Sequence, residues 1–182
     1  MSRFACASLA LLSLAASNAV AGPITVGAGL GVTQDEASSN QDPFSTLSLF
    51  GRIALGRSIS TELDITKVNT AQGYSARVIT GLLVLDLGSN VHWVPQLFAG
   101  LGIDRASVGY GDYSGHHFEG GAGLEYRADG GFAIGARFHL GGRSIDSEPA
   151  VYPLACCTDL YAPNTLQASQ YRSFDLYAGI RF

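Results

Sequence analysis

Histidine is the residue type in this chain best suited to acid–base or metal chemistry near neutral pH. His116 and His117 are adjacent, in a stretch that we expect to be extended. Neighbouring residues of a strand point to opposite faces, so this pair cannot bind one metal ion together. We interpret both as histidines at the edge of a surface loop, and the sequence predicts no metal site.

His139 invites a catalytic interpretation. A serine nucleophile must lie within hydrogen-bond reach of its imidazole base. Ser144 is the nearest serine downstream, and it falls on the opposite parity of an extended segment and beyond that reach. We therefore predict a structural role for His139 and no catalytic residue.

Charged residues of both signs share one parity of the extended segments. One interpretation is a path for protons or ions, and the other is a salt-bridge network that satisfies charges in a closed interior. The candidate network consists of Arg52, Glu62, Asp64, Asp104, Glu119, Glu125, Arg127, Arg137, His139, Asp175 and Arg181.

Cofactors and nucleic acids are disfavoured by the sequence. Gly27, Gly29 and Gly31 belong to a strand with no helix after it, which excludes a dinucleotide-binding loop. The net charge is −4 and only 14% of residues are charged, so the chain lacks the basic character that nucleic-acid binding needs. We predict no cofactor and no nucleic-acid partner.

The N-terminus predicts export. Arg3 gives a positive start, Leu9 to Ala16 form an apolar stretch, and Ala19 to Ala21 form a cleavage pattern. The apolar stretch is too short to span a bilayer, and no later stretch approaches the ~18 apolar residues of a transmembrane helix. We predict a signal peptide over residues 1–21 and a mature domain over residues 22–182.

Cys156 and Cys157 are adjacent in the predicted mature domain. An oxidising compartment favours disulfides. Adjacent cysteines can form only a small strained ring or pair with other chains, and no second ligand pair with zinc-site spacing accompanies them. A disulfide and a loop feature without chemistry both stay open.

The last residues of the chain alternate strictly in polarity. Phe174, Leu176, Ile180 and Phe182 share an apolar face, whereas the other face is small, polar or charged. This period of two predicts a strand that borders two different solvents. The predicted strands, all with this alternation, are Ile24–Thr33, Phe44–Leu55, Ser58–Val68, Ser75–Leu87, Trp93–Ser107, His116–Ala128, Phe132–Arg143 and Gln170–Phe182.

The segment from Ser75 to Leu87 is apolar on both parities and therefore ambiguous. We assign Ile79, Leu83, Leu85 and Leu87 to the lipid side, because the opposite parity contains Thr80 and Asp86.

These segments suit the ~9–11 residues with which a tilted strand crosses a membrane. Short turns alternate with longer connections, which we place at Gln34–Pro43, Asn69–Tyr74, Gly109–Gly115 and Ile145–Ser169. An even strand number permits closure, and closure removes the edges that lipid cannot tolerate. We predict an all-β fold, an eight-stranded antiparallel transmembrane up-and-down β-barrel. Its interior would be just filled by side chains, which favours the salt-bridge network over an ion path.

The chain resembles the small bacterial outer-membrane barrels of the OmpA/OmpX type. The residues that carry the resemblance are Gln96–Gly102, Glu119–Tyr126, Gly131–Arg137 and Tyr177–Phe182. The resemblance covers nearly the whole mature domain and implies a location in the bacterial outer membrane, with both termini in the periplasm. In this family a terminal strand ending in Phe is the signal read by the barrel-assembly machinery. That role is implied here for Phe174, Leu176, Ile180 and Phe182.

The same resemblance leaves several functions open, because this fold hosts many activities. We expect a surface or envelope protein without an open pore, whose extracellular loops are available to an unspecified ligand. The first alternative is an enzyme acting on lipopolysaccharide. The lipid A deacylases carry a His-x-Ser pair that faces lipid, whereas His139 is followed by Leu140 and Gly141. The second alternative is a small-solute channel.

Lys67, Arg77 and Arg105 fall on the lipid-facing parity of three neighbouring segments, each at the predicted extracellular end. A cation facing lipid costs ~2–4 kcal/mol at mid-depth but only ~0–1 kcal/mol near the interface. These residues are either a patch for lipopolysaccharide phosphates or side chains that merely snorkel to the rim.

Overall fold

The structure is a computed structural model that describes residues 23–35, 43–69, 75–88, 92–108, 111–146 and 169–182. The predicted signal peptide and the Cys156–Cys157 pair lie outside these residues. The strands are β1 (Ile24–Asp35), β2 (Phe44–Ala54), β3 (Ile59–Asn69), β4 (Ser75–Asp86), β5 (Trp93–Val108), β6 (Gly111–Arg127), β7 (Phe132–Asp146) and β8 (Ser169–Arg181). No helix in the described part of the chain is long and apolar enough to cross a membrane.

Each strand pairs antiparallel with the next, and β8 pairs with β1, so the sheet closes on itself in the order β1 to β8. Ala28 on β1 faces Ala178 on β8, and the last backbone amide of the chain, that of Phe182, donates to the Ile24 carbonyl at 2.8 Å. Closure satisfies the backbone groups that an open sheet edge would expose. The predicted eight-stranded up-and-down barrel is confirmed.

The alternating pattern separates the two surfaces of the barrel. On β4, the strand with apolar residues on both parities, Val78, Thr80 and Leu82 are buried, whereas Ile79 and Leu83 are exposed. The assignment of this strand from Thr80 and Asp86 is therefore confirmed. The exposed apolar side chains form a continuous band around the middle of the outer surface, which requires lipid or detergent around it.

The two ends of the barrel differ in their connections. The end that we call the turn end carries the links at 55–58, 87–92 and 128–131, together with Pro23 and Phe182. The opposite end, which we call the loop end, carries the connections at 36–43, 70–74, 109–110 and 147–168.

One predicted long connection is wrong. We expected a loop from Gly109 to Gly115, but β5 and β6 stay paired up to Val108 and Gly111, so that only 109–110 connect them. Residues 109–115 are mostly small or polar and do not alternate with apolar residues, because this part of the two strands extends beyond the apolar band of the outer surface. Backbone pairing continues there without the side-chain signal.

Large side chains fill the lumen where glycine faces them. A β-carbon added at Gly27 would meet the Phe50 ring, and one at Gly135 would meet the Tyr177 ring. The rings of Phe50 and Tyr177 pack edge to face, with centroids 5.4 Å apart. The inward glycines therefore make room for the aromatic core of the barrel.

Candidate functional site

Charged side chains in the turn-end half of the lumen form a connected set that we call the turn-end network. Arg137 contacts Glu62 through both terminal nitrogens, at 2.5 and 2.9 Å. Arg52 lies between two carboxylates, with Nε 2.7 Å from Glu62 and Nη1 2.8 Å from Glu125. Such two-pronged contacts suit the planar guanidinium and orient it firmly.

The turn-end network extends to the mouth of the barrel through Arg127. Its Nε lies 2.6 Å from Glu125 and its Nη2 lies 2.6 Å from Asp86. Gln96 donates to the other oxygen of Asp86 at 2.9 Å. Asp86 belongs to the network although we had not included it, because we used it only to orient β4.

Aromatic rings cover the buried guanidinium groups. The guanidinium carbon of Arg137 lies 4.6 Å from the centre of the Tyr177 ring and 5.5 Å from that of Phe98. The Tyr177 hydroxyl donates to Glu125 at 2.8 Å. Cations over aromatic faces gain further attraction, more so where water is excluded.

The layer formed by this network closes the lumen. Every strand contributes a buried inward residue to it: Thr25, Arg52, Glu62, Val84, Gln96, Glu125, Ala133 and Tyr177. Glu62 and Glu125 are each only 2% exposed, so the neighbouring side chains of this layer shield both carboxylates from water. This arrangement matches a barrel of this size filled by its own side chains.

The loop-end half of the lumen has a different chemistry, built on His139. Its Nδ1 lies 3.3 Å from Glu119 and its Nε2 lies 3.1 Å from Asp175. Tyr171 donates to Glu119 at 2.8 Å, and Thr46 donates to Asp175 at 3.1 Å. Both ring nitrogens face carboxylates, which leaves neither of them placed to accept a proton from a nucleophile.

A serine does lie directly across from His139, and the sequence analysis missed it. Ser173 on β8 is the register partner of His139 on β7. The Ser173 hydroxyl is within bonding distance of Asp175, at 3.0 Å, and of the Val32 carbonyl, at 3.2 Å. Both residues are buried inside the lumen, away from the lipid face where a lipid-hydrolysing site would need them.

His117 is the second residue that sequence reasoning misplaced. It is not at a loop edge but within β6, only 2% exposed, with its Nδ1 3.1 Å from Asp104 and its Nε2 3.0 Å from the Thr80 hydroxyl. The outward side chain of His116 is on the other face, as the period of two requires. No group of three potential metal ligands occurs among the described residues.

Two residues of the predicted lumen set stand apart from the ion pairs. Asp64 accepts a hydrogen bond from Thr66 at 2.7 Å. Arg181 has the inward parity but is exposed, and lines a pocket at the turn-end mouth together with Arg52, Arg57 and Arg127.

The outward cations Lys67, Arg77 and Arg105 form a straight line across three strands, which we call the cation row. Lys67 on β3 is the register partner of Arg77 on β4, and Arg77 is that of Arg105 on β5. All three are exposed and lie toward the loop end of their strands.

The apolar side of the terminal strand faces outward. Phe174, Leu176, Ile180 and Phe182 are all exposed, and Phe182 lies at the turn end. Trp93 and Tyr126 pack at the same end, with ring centroids 5.0 Å apart. Aromatic residues at this level fit the interfacial girdle of a membrane barrel.

No protein-family model and no curated protein matches the chain. Solved structures match its architecture. Neisserial surface protein A aligns with a TM-score of 0.67 at 13% identity, covering 88% of this chain and 99% of that protein. The N-terminal β-barrel domain of OprF from Pseudomonas aeruginosa aligns at 0.57 with 15% identity, covering 87% and 97%.

A major outer membrane protein from Thermus thermophilus also aligns, with a TM-score of 0.52 at 8% identity, covering 87% of this chain and 99% of that one. At these identities the likeness concerns the fold. The chain has the fold of the small outer-membrane β-barrels, and the resemblance inferred from its terminal strand and glycine-rich segments is confirmed at that level.

Proposed function

We propose that this protein is a closed outer-membrane barrel that serves at the cell surface or in the envelope, and not a channel or an enzyme. The observation that carries the proposal is the sealed layer around Arg52, Glu62 and Arg137, to which every strand contributes a buried side chain. A diffusion pore needs a continuous aqueous path, and the turn-end network occupies the place where it would run.

The proposed orientation puts the turn end in the periplasm and the loop end outside. It is supported by the position of the two longest connections, 36–43 and 147–168, at the end opposite to Pro23 and Phe182, because longer extracellular loops are usual in such barrels. Ligand binding would then fall to the loop end, chiefly to the connection at 147–168 that contains Cys156 and Cys157.

Export and assembly complete the proposal. Residues 1–21 would be removed as a signal peptide, and the barrel-assembly machinery would read the outward face of β8 that ends in Phe182. The cation row would meet the lipopolysaccharide phosphates of the outer leaflet. The apolar band between the level of Phe182 and the level of the cation row would lie in the hydrocarbon core.

Conductance in planar bilayers tests the proposal. The wild-type barrel should give no stable channel. The double variant E62A/R137A should conduct, because it removes a charge-matched pair from the sealed layer while Arg52 keeps Glu125. Stable conductance by folded wild-type protein, verified by heat-modifiable migration on gels, would exclude a closed barrel.

A further inference from the structure

We propose that the loop-end face of β3, β4 and β5 is a binding site for the phosphorylated glycolipid of the outer leaflet. The cation row would hold its phosphates, and a notch at Gly81 would hold an acyl chain. This inference rests on the membrane location and orientation proposed above, and it adds a defined lipid site to them.

No carboxylate is in register with the three residues of the cation row. The acidic residues of the same parity that come nearest are Asp112, in register with Ser107 one step beyond Arg105, and Asp146, in register with Ser114. Like charges directly opposite one another on neighbouring strands are destabilising, and neighbouring strands lie only ~4.8 Å apart. The row ends at Leu47 on one side and Ser114 on the other, which are the register partners of Lys67 and Arg105. The connection 70–74 above it contains no acidic residue.

Apolar side chains continue the site directly below the cations. Ile65, Ile79 and Ile103 are register partners of one another, and all are exposed. A charged rim above an apolar wall is complementary to an amphiphile, with its headgroup at the interface and its chains in the hydrocarbon core.

The next level down contains a gap the width of a side chain. Gly81 lies in register between Leu63 and Leu101, which are 54% and 73% exposed. A β-carbon added at Gly81 would meet only the Leu101 carbonyl oxygen, at 3.9 Å. The two leucines therefore flank an open notch on β4, the strand that also carries Arg77 and Ile79.

Charge and position together select the occupant. Guanidinium and ammonium groups bind phosphate through charge-assisted hydrogen bonds, and two arginines beside a lysine suit more than one phosphate oxygen. The row lies at the loop end, which the proposed orientation places in the leaflet that presents lipopolysaccharide. A phosphorylated, acylated glycolipid satisfies the cation row, the isoleucines and the notch at once.

The experiment measures how lipid changes the unfolding temperature of the barrel purified in neutral detergent. The wild type is titrated with lipopolysaccharide, dephosphorylated lipopolysaccharide, phosphatidylglycerol and inorganic phosphate. The variants are K67Q/R77Q/R105Q and its control R57Q/R172Q, which removes cations outside the row. For the notch they are G81L and its control G51L, since Gly51 is also outward, has no atom near its β-carbon, and lies in register with Leu63.

Lipopolysaccharide should raise the wild-type unfolding temperature, and the dephosphorylated form should bind about tenfold more weakly, as the row variant does. The row variant should bind about tenfold more weakly, from three exposed ion pairs of about 0.5 kcal/mol each. G81L should weaken binding about fourfold, because filling the notch prevents about one methylene group of the acyl chain from being buried there. Both controls should stay close to the wild type. If G81L does not refold, the pair G81V and G51V replaces it.

Three results would overturn the inference. The first is an equal loss of lipopolysaccharide affinity in a variant and in its control. The second is that phosphatidylglycerol stabilises the barrel as much as lipopolysaccharide does and with the same dependence on the cation row, and the third is that inorganic phosphate stabilises it as much as lipopolysaccharide does. A wild-type barrel that conducts ions would contradict the proposed function and leave the lipid result unaffected. A closed barrel indifferent to lipopolysaccharide would contradict this inference alone.

Discussion

Basic side chains occur in two regions of this barrel, and their surroundings differ. In the turn-end network Arg52 contacts Glu62 on the next strand, Arg137 contacts Glu62 across the lumen, and Arg127 contacts Glu125 on its own strand. In the cation row the residues at each end of the line are Leu47 and Ser114. The network is neutralised within the fold, so its residues matter for stability. The row has no carboxylate in register with it, so under the proposed lipid site its residues should matter for what the barrel contacts.

The largest expected effect comes from breaking the network at Arg137. Arg137→Ala removes both contacts to Glu62, a side chain only 2% exposed, and leaves its charge with Arg52 alone. Removing one partner of a buried ion pair costs about 3–5 kcal/mol. We expect the free energy of unfolding to fall by that amount. The measurement is a urea titration in neutral detergent that uses the fluorescence of Trp93 as its probe.

The double variant E62Q/R137M is the control for this prediction. It removes both members of the pair and leaves no uncompensated charge, so it should cost less than Arg137→Ala alone. A loss below about 1 kcal/mol for Arg137→Ala would be typical of an exposed pair and would contradict a structural role for the network.

Glycines sharpen the contrast between the inner and outer surfaces. Gly135→Ala places a methyl group against the Tyr177 ring, whereas Gly51→Ala points into open space. Overpacking a filled interior costs about 1–3 kcal/mol, while an outward change at an open site should lie within about 0.5 kcal/mol. Parallel urea titrations of both variants check the difference, and equal losses would show that the lumen is not tightly packed.

The terminal phenylalanine should matter for assembly more than for folded stability. Phe182 is exposed and contacts β1 through its backbone amide, which donates to Ile24. Deleting it should lower the amount of barrel in the outer membrane of cells, while the free energy of unfolding changes by less than about 1.5 kcal/mol, one net hydrogen bond. Quantitative immunoblots of membrane fractions measure the first effect. A normal amount of the variant without Phe182 in the outer membrane would contradict the proposed role of this residue as an assembly signal.

The sequence predicted whatever depends on local alternation. Strand faces follow from a period of two, so Thr80 and Asp86 were sufficient to orient β4 correctly. The same reasoning placed His139 inside the barrel. It could not find the serine across from it, because Ser173 meets His139 only through the register of β7 and β8.

The alternation of polarity along a strand predicts neither the contacts between distant strands nor the residues at which strands end. His117 looks like part of a polar loop, and only its pairing with Asp104 and Thr80 explains why an imidazole is buried there. The first residues of β6, from Gly111, have turn-like composition and were assigned to a loop. Their pairing with β5 is a backbone property that side-chain polarity does not encode.

The smallest expected effect is that of the cation row when no lipid is present. In neutral detergent K67Q/R77Q/R105Q should be as stable as the wild type or slightly more stable. Like charges opposite each other on neighbouring strands cost roughly 0.2–1 kcal/mol per pair, and the variant removes two such pairs. The wild type should gain stability as salt rises from ~0.01 M to ~1 M, where the screening length falls from ~30 Å to ~3 Å. The variant should gain less over the same range. A substantial loss of stability in the lipid-free variant would mean that contacts within the chain hold the three cations, and the contrast between row and network would fail.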